Sequence, residues 1–269
     1  MLTESNQQPE LENNTSNLSP YEQWRRLPFG VRHPILFRIL FAVPIILVAK
    51  ISSTTALPFD VFGCWHGGIH VNRWLALCAP MIVWGVVIQS WMNHVRTKAI
   101  LSGRPDVPDD PNPKAAWYFG LITGAWAAIT EEIGIRWLLF YAGIPLLKTA
   151  NFLFFEWAGF GIPKTLHLAW FGPIANFTTA GLMSNEILNH PGGWAVGASL
   201  IMTNAFFRDG HSYQGCLGRW NAWILGMCYF AMFLYHGLLA AIFAHFIYNA
   251  TVAYVMVLGI ESRQRRGIF

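Results

Sequence analysis

The sequence predicts an all-α protein, a polytopic transmembrane helical bundle of about eight spans. Three observations carry that prediction. Hydrophobic residues make up 54% of the 269-residue chain and charged residues only 12%, whereas an ordinary soluble domain is about a quarter charged. Mean hydropathy is +0.37. The apolar residues also gather in blocks, several of them reaching the ~20 residues a helix needs to cross a bilayer. Together these features exclude a soluble enzyme and a disordered chain. The net charge of +4 does not point to nucleic acid, because the basic residues lie between apolar blocks and form no stripe.

Residues 1–34 read as a disordered cytoplasmic tail with a juxtamembrane segment. The first twenty are too polar to bury a core and lack the basic start and apolar stretch of a signal peptide. Trp24, Leu27 and Phe29 then alternate with Arg25, Arg26 and Arg32, a mixture suited to the headgroup level. Residues 35–114 form an N-terminal part, with spans at 35–53 and 74–92 and a Pro- and Asp-rich loop. Residues 115–260 form the core, with apolar blocks at 115–147, 165–184, 194–208 and 221–260. The first and last of these are too long for one upright span. Each is either a pair of spans around a tight turn or one long tilted helix, and His236–Gly237 marks a break in the last. Dividing both blocks gives eight spans. Residues 261–269 are a basic tail. Basic residues at both ends and in the 93–114 loop place these regions in the cytoplasm by the positive-inside rule. The expectation is a multi-pass protein of the plasma (inner) membrane with a cytoplasmic N-terminus and membrane lipid as a partner. The four cysteines form no CxxC pair, so neither a disulfide framework nor a zinc knuckle is indicated.

Chemistry is signalled by polar residues inside the apolar blocks, where each ionised side chain costs at least about 2.5–3.5 kcal/mol. The segment AWAAITEEIGIRWLLFY holds Glu131, Glu132 and Arg136. Glu132 and Arg136 are four apart and share a helix face, so they can neutralise one another. Glu131 is turned about 100° away, which leaves it without a partner in its own segment and suits it to general-base work. A second signal is Phe207-Arg208-Asp209-Gly210-His211 at the end of a span. A third is His245 with Asn249, one turn apart in an otherwise apolar run. Two carboxylates, two histidines and an amide suit hydrolysis, with a glutamate taking a proton from water and donors meeting the oxyanion. The same set fits a catalytic zinc with Glu131, His211 and His245 as ligands and an open position for water. HExxH and GxSxG are both absent, and no cofactor other than such a metal is implied.

Glu131-Glu132-xxx-Arg136, Phe207-xxx-His211 and His245-xxx-Asn249, in that order on apolar helices, resemble the CPBP family (CAAX protease and bacteriocin-processing, or Abi) of intramembrane proteases. The resemblance covers roughly 115–260. It implies that Glu131 activates water with His211, that His245 and Asn249 form the oxyanion hole, and that Glu132, Arg136 and Phe207 support them. The implied substrate is a membrane-bound peptide or protein, including prenylated CAAX proteins, and the implied activity is endoproteolysis. The family is often labelled metalloprotease, although a glutamate-activated water without metal is favoured for its prenyl-protein members. Two features depart from the family's pattern. Trp137 follows Arg136 where glycine is common, and 148–193 adds an aromatic-rich piece between the first two motifs.

Two other readings belong to different function classes. One is a non-catalytic immunity or scaffold protein of the same fold. The other is a transporter whose Glu/His/Arg cluster relays protons or binds a cation. Several other polar residues carry bland readings. Cys64, His66 and His70 surround Gly67 and Gly68, which oppose the helix that would align them on a metal. Glu156 reads as a residue of an interfacial loop, and His236 as a loop or interface histidine.

Overall fold

A computed structural model describes residues 34–51, 71–103, 112–181 and 185–268. The tail expected before residue 34, the Cys64/His66/His70 group and residues 104–111 of the 93–114 loop lie outside the described residues. Every regular element described is helical, in agreement with the all-α expectation.

Helices α1 (Pro34–Ile51) and α2 (Val71–Leu101) come first. Helix α2 continues through 93–101, which the sequence places in a loop, because the Pro- and Asp-rich stretch begins only after Gly103. Helix α3 (Pro113–Glu131) then begins on a strong start signal. The Asn112 side chain accepts from the backbone N–H groups of Lys114 and Ala115, and Pro113 occupies the first turn, where its missing N–H costs nothing. The chain continues without interruption through a π-helical segment, Glu132–Leu139, into α4 (Phe140–Leu153). The acidic pair is therefore not the turn between two spans. No proline or glycine stands at Glu131 or Glu132 to break the helix, and the ion pair from Glu132 to Arg136 needs helical spacing. These parts, of 19, 8 and 14 residues, follow a contour of roughly 60 Å at ~1.5 Å per residue.

The piece at 148–193 folds back as short elements: a 3₁₀ turn at Glu156–Ala158, α5 (Ile162–Leu166), a π turn at His167–Phe171, α6 (Gly172–Thr178) and α7 (Asn185–Leu188). Glu156 is exposed in its turn, as expected of a loop residue. Helix α8 (Trp194–Gly210) leads through Ser212–Gln214 into α9 (Gly215–His236), and α10 (Leu238–Arg265) follows. The break expected at His236–Gly237 is present. Gly237 has φ 93 and ψ 170, a conformation almost confined to glycine. His236 itself is buried at 7% exposure, a packed helix end rather than a surface loop. Likewise α10 runs through 261–265 and buries Arg263, so the basic tail begins later than residue 261. Seven helical runs longer than ten residues stand among the described residues, rather than eight.

Small residues set how closely these helices approach. On α3, a Cβ at Gly120 would lie 2.7 Å from the Ala253 Cβ, and one at Gly124 would lie 2.9 Å from the Asn249 Cβ. As residue numbers rise on α3 they fall on α10, so these two helices are antiparallel. On α2, a Cβ at Gly85 would strike the Tyr248 ring at 2.8 Å, and Asn93 Nδ2 donates to the Val255 carbonyl at 2.8 Å. Edge-to-face contacts among Phe140, Tyr141, Phe230 and Phe233 form the aromatic heart of the core.

The outside is apolar. Tyr118, Phe119, Ile122 and Trp126 on α3 are each more than 60% exposed. Val83, Val87 and Trp91 on α2 face outward in the same way. Among the described residues two helices, Trp74–Leu101 and Leu238–Arg265, are long and apolar enough to cross a membrane.

Candidate active site

The stripe Gly120, Gly124, Ala128 repeats every four residues on α3, and Glu132 is its next member. Ala128 is fully buried. Small side chains let two helix backbones come close, and this approach brings Glu132 into register with His245 on α10. Glu132 Oε1 accepts from His245 Nδ1 at 2.8 Å and from Arg136 Nη1 at 2.9 Å. Glu132 and Arg136 are both 0% exposed. Glu132 Oε1 accepts from the guanidinium, which can only donate, and the Nδ1 nitrogen of His245 is the donor in the bond to that same oxygen.

The π-helical segment starts at Glu132. Its i→i+5 bonding widens the turn, and such segments recur at functional sites. Here it holds Glu132 and Arg136 above one another, while Glu131 remains on the last turn of α3. The sequence suggested that Glu131 points elsewhere; instead it reaches the other edge of the same imidazole. Glu131 Oε2 lies 3.8 Å from His245 Nε2, and the Glu131 side chain is 28% exposed. That oxygen has no hydrogen-bond partner. One imidazole thus stands between a fully buried carboxylate and a partly exposed one, and the Oε2 oxygen of each is buried without a hydrogen-bond partner.

Aromatic rings close around this group. Phe207 lies over the Arg136 guanidinium at 4.3 Å, and Tyr229 lies over it at 5.2 Å. Such stacking helps a desolvated cation. Tyr229 also stacks flat on His245, with centroids 4.4 Å apart and planes 17° apart. Its hydroxyl is buried without a partner. Tyr229 was not singled out in the sequence. Its signal is positional: it stands as far before Gly237 as His245 stands after it, and a helical hairpin brings such positions face to face.

His211 joins the group through Phe207. Their rings are 4.7 Å apart, and Phe207 also meets His245 edge-on at 6.2 Å. His211 ends α8 and donates from Nδ1 to the Phe207 carbonyl at 2.8 Å, which fixes the ring's tautomer. Asn249 stands one turn from His245 and donates from Nδ2 to the Gly124 carbonyl at 3.2 Å. Only one of the two hydrogens on that nitrogen is needed for this bond.

Of the seven residues expected at the site, Glu131, Glu132, Arg136, Phe207 and His245 form one cluster and His211 joins it through Phe207, whereas Asn249 meets the Gly124 carbonyl, about two turns before Glu132 along the helix. Of the three donors expected for zinc, Glu131 and His245 face one another at 3.8 Å and His211 packs on Phe207; no group of three or more His, Cys, Asp or Glu suited to a metal ion occurs among the described residues. Neither a family model nor a curated protein nor a solved structure matches this chain.

Proposed function

We propose that this chain is a multi-pass membrane protein with a cytoplasmic N-terminus, and that it works as an intramembrane endopeptidase of the CPBP type on a membrane-bound peptide or protein. The apolar exterior of α2 and α3 and the two span-length helices support the membrane part. One observation supports the chemistry above all others: Glu131, partly exposed, stands 3.8 Å from a histidine fixed by the fully buried Glu132–Arg136 pair.

In this reading Glu131 takes a proton from the attacking water, with His211 assisting. The water oxygen bonds to the scissile carbonyl carbon, and its π electrons move to the carbonyl oxygen. The second amide hydrogen of Asn249 stabilises that oxyanion, joined by His245 Nε2 when the ring carries a proton on both nitrogens, since Nδ1 is already given to Glu132. Collapse breaks the C–N bond, and the proton held by Glu131 passes to the leaving amine. Glu132 and Arg136 hold His245 in place and do not react. No step of this reading is routed through a metal.

The test uses the full chain in proteoliposomes with membrane-tethered peptide libraries, isoprenylated and unmodified, read by mass spectrometry. Wild-type protein is expected to cut, and Glu131→Gln to lose at least about a hundredfold in rate, as removal of a general base does. Equal cleavage by the variant refutes the assignment. A wild-type protein that cuts nothing in either library favours the immunity or scaffold reading.

A further inference from the structure

An open, largely apolar groove of about 1040 Å³ lies between the folded-back 148–193 piece and helices α8 and α9. Leu147, Ile162, Leu166, Phe171, Ile201 and Trp223 contribute to its walls. On α8 the lining residues are Ala198, Ile201, Met202, Ala205 and Arg208. They share one helix face, distinct from the one that carries Phe207 to Arg136. The groove is therefore separate from the proposed catalytic cluster, although it shares α8 with it. Its size is at the upper end for small-molecule sites, roughly 300–1,000 Å³.

Charge is confined to one place in the lining. Arg208 and Arg219 flank the turn between α8 and α9, with side chains 38% and 50% exposed. Both bind the same carboxylate. Arg208 grips Asp209 through Nε and Nη2 at 2.8 and 3.0 Å, and Arg219 Nη2 reaches Asp209 Oδ1 at 3.3 Å. Two guanidiniums share one carboxylate, which leaves a net positive charge at the groove. Trp220, also in the lining, is 49% exposed beside them. Arginine and tryptophan together at a helix end mark the headgroup level of a bilayer.

We propose that this groove holds an acyl chain of an anionic membrane phospholipid, with the headgroup phosphate on Arg208 and Arg219. The apolar walls take the chain, and the uncompensated guanidinium charge selects anionic over zwitterionic headgroups. The proposal rests on the membrane part of the proposed function and not on the peptidase part.

The experiment uses full-length protein delipidated in detergent and exposed to equal amounts of phosphatidylglycerol and phosphatidylcholine, with bound lipid counted by native mass spectrometry. Phosphatidylglycerol should be retained preferentially. Arg219→Gln should reduce that preference about fivefold, the factor for one basic side chain near a charged headgroup. Ala205→Trp, which fills the groove, should cut retention of both lipids. A second readout needs no substitution. Cys216 is exposed and lines the groove, and its alkylation should slow in phosphatidylglycerol nanodiscs relative to phosphatidylcholine nanodiscs.

Equal retention of both lipids, with Cys216 alkylation indifferent to headgroup, overturns the proposal. So does an isoprenylated peptide that displaces phosphatidylglycerol and itself loses binding in Ala205→Trp, because the groove then belongs to a substrate. Release of the chain from membranes by alkaline carbonate overturns the membrane reading itself, whereas failure of the lipid arms alone leaves that reading in place.

Discussion

Glu131 and Glu132 are adjacent, carry the same group and approach the same imidazole, yet their substitution by glutamine should have opposite consequences. Glu132 is wholly buried and paired with an equally buried Arg136. Removing its charge leaves a guanidinium unpaired in a dry site, which costs about 3–5 kcal/mol. The Phe207 ring at 4.3 Å offsets part of this, by as much as about 2 kcal/mol for a desolvated cation. The net loss is therefore about 3 kcal/mol, near the bottom of that range. At about 2–4 °C per kcal/mol, Glu132→Gln should melt roughly 6–12 °C below wild type. Glu131 is 28% exposed and sits 3.8 Å from His245; a partly solvated pair of this kind contributes at most about 1 kcal/mol. Glu131→Gln should melt within about 4 °C of wild type. The thirteen tryptophans give a direct reading by intrinsic fluorescence during a thermal ramp in detergent. A double variant, Glu132→Gln with Arg136→Met, removes both charges. It should regain most of the stability lost by Glu132→Gln alone, a coupling that independent sites do not show. If Glu132→Gln melts with wild type, or Glu131→Gln melts lower than Glu132→Gln, the division into a structural and a working carboxylate is wrong.

Two further substitutions probe the frame. Gly124→Leu drives a side chain into the place where a Cβ alone would already stand 2.9 Å from Asn249. It should part α3 from α10 and abolish cleavage while circular dichroism still reports full helix content; an active variant removes the small-residue stripe from the account. Tyr229→Phe deletes a buried hydroxyl that has no partner and keeps the ring on His245, so its melting temperature should equal or exceed that of wild type. Tyr229→Leu loses the stacking and should lower the cleavage rate, and a Tyr229→Phe protein that melts several degrees lower shows that the hydroxyl has a partner after all.

Much of this arrangement was legible in the chain because membrane-type helices announce themselves by composition. The apolar blocks at 35–53, 74–92, 165–184 and 194–208 each overlap a helical run, though the helix ends at Thr178 in the third and continues to Leu101 beyond the second. The hinge at Gly237 was readable because glycine after a histidine interrupts a long apolar stretch. Glu132 with Arg136 and His245 with Asn249 were paired by helical spacing; the first pair and His245 stand in the cluster, and Asn249 meets Gly124 beside it on the same helix interface. The unbroken passage from α3 to α4 was not legible. Its π-helical segment has no local sequence signature, because i→i+5 bonding depends on what the helix packs against. The direction of Glu131 was misread for the same reason: helical spacing within one segment says nothing about a histidine 114 positions downstream.

The convergence of both glutamates on His245 changes the meaning of the motif. Read along one helix, EExxxR is an ion pair plus a spare acid. In three dimensions it is a chain of four groups running Glu131, His245, Glu132, Arg136. Its inner end is sealed by Phe207, Tyr229 and Phe230 around the guanidinium, and its outer end is the partly exposed Glu131 carboxylate. Burial of the inner ion pair is expensive, and packed hydrophobic residues would stabilise the bundle as well or better. A structural role alone therefore gives no reason for the pair to be ionic. Orientation of His245 does, because a rigid, charged acceptor at Nδ1 leaves Nε2 fixed opposite Glu131. The rigidity needed there also accounts for the close α3–α10 approach, since a loose helix pair could not hold a 2.8 Å bond between side chains on different helices.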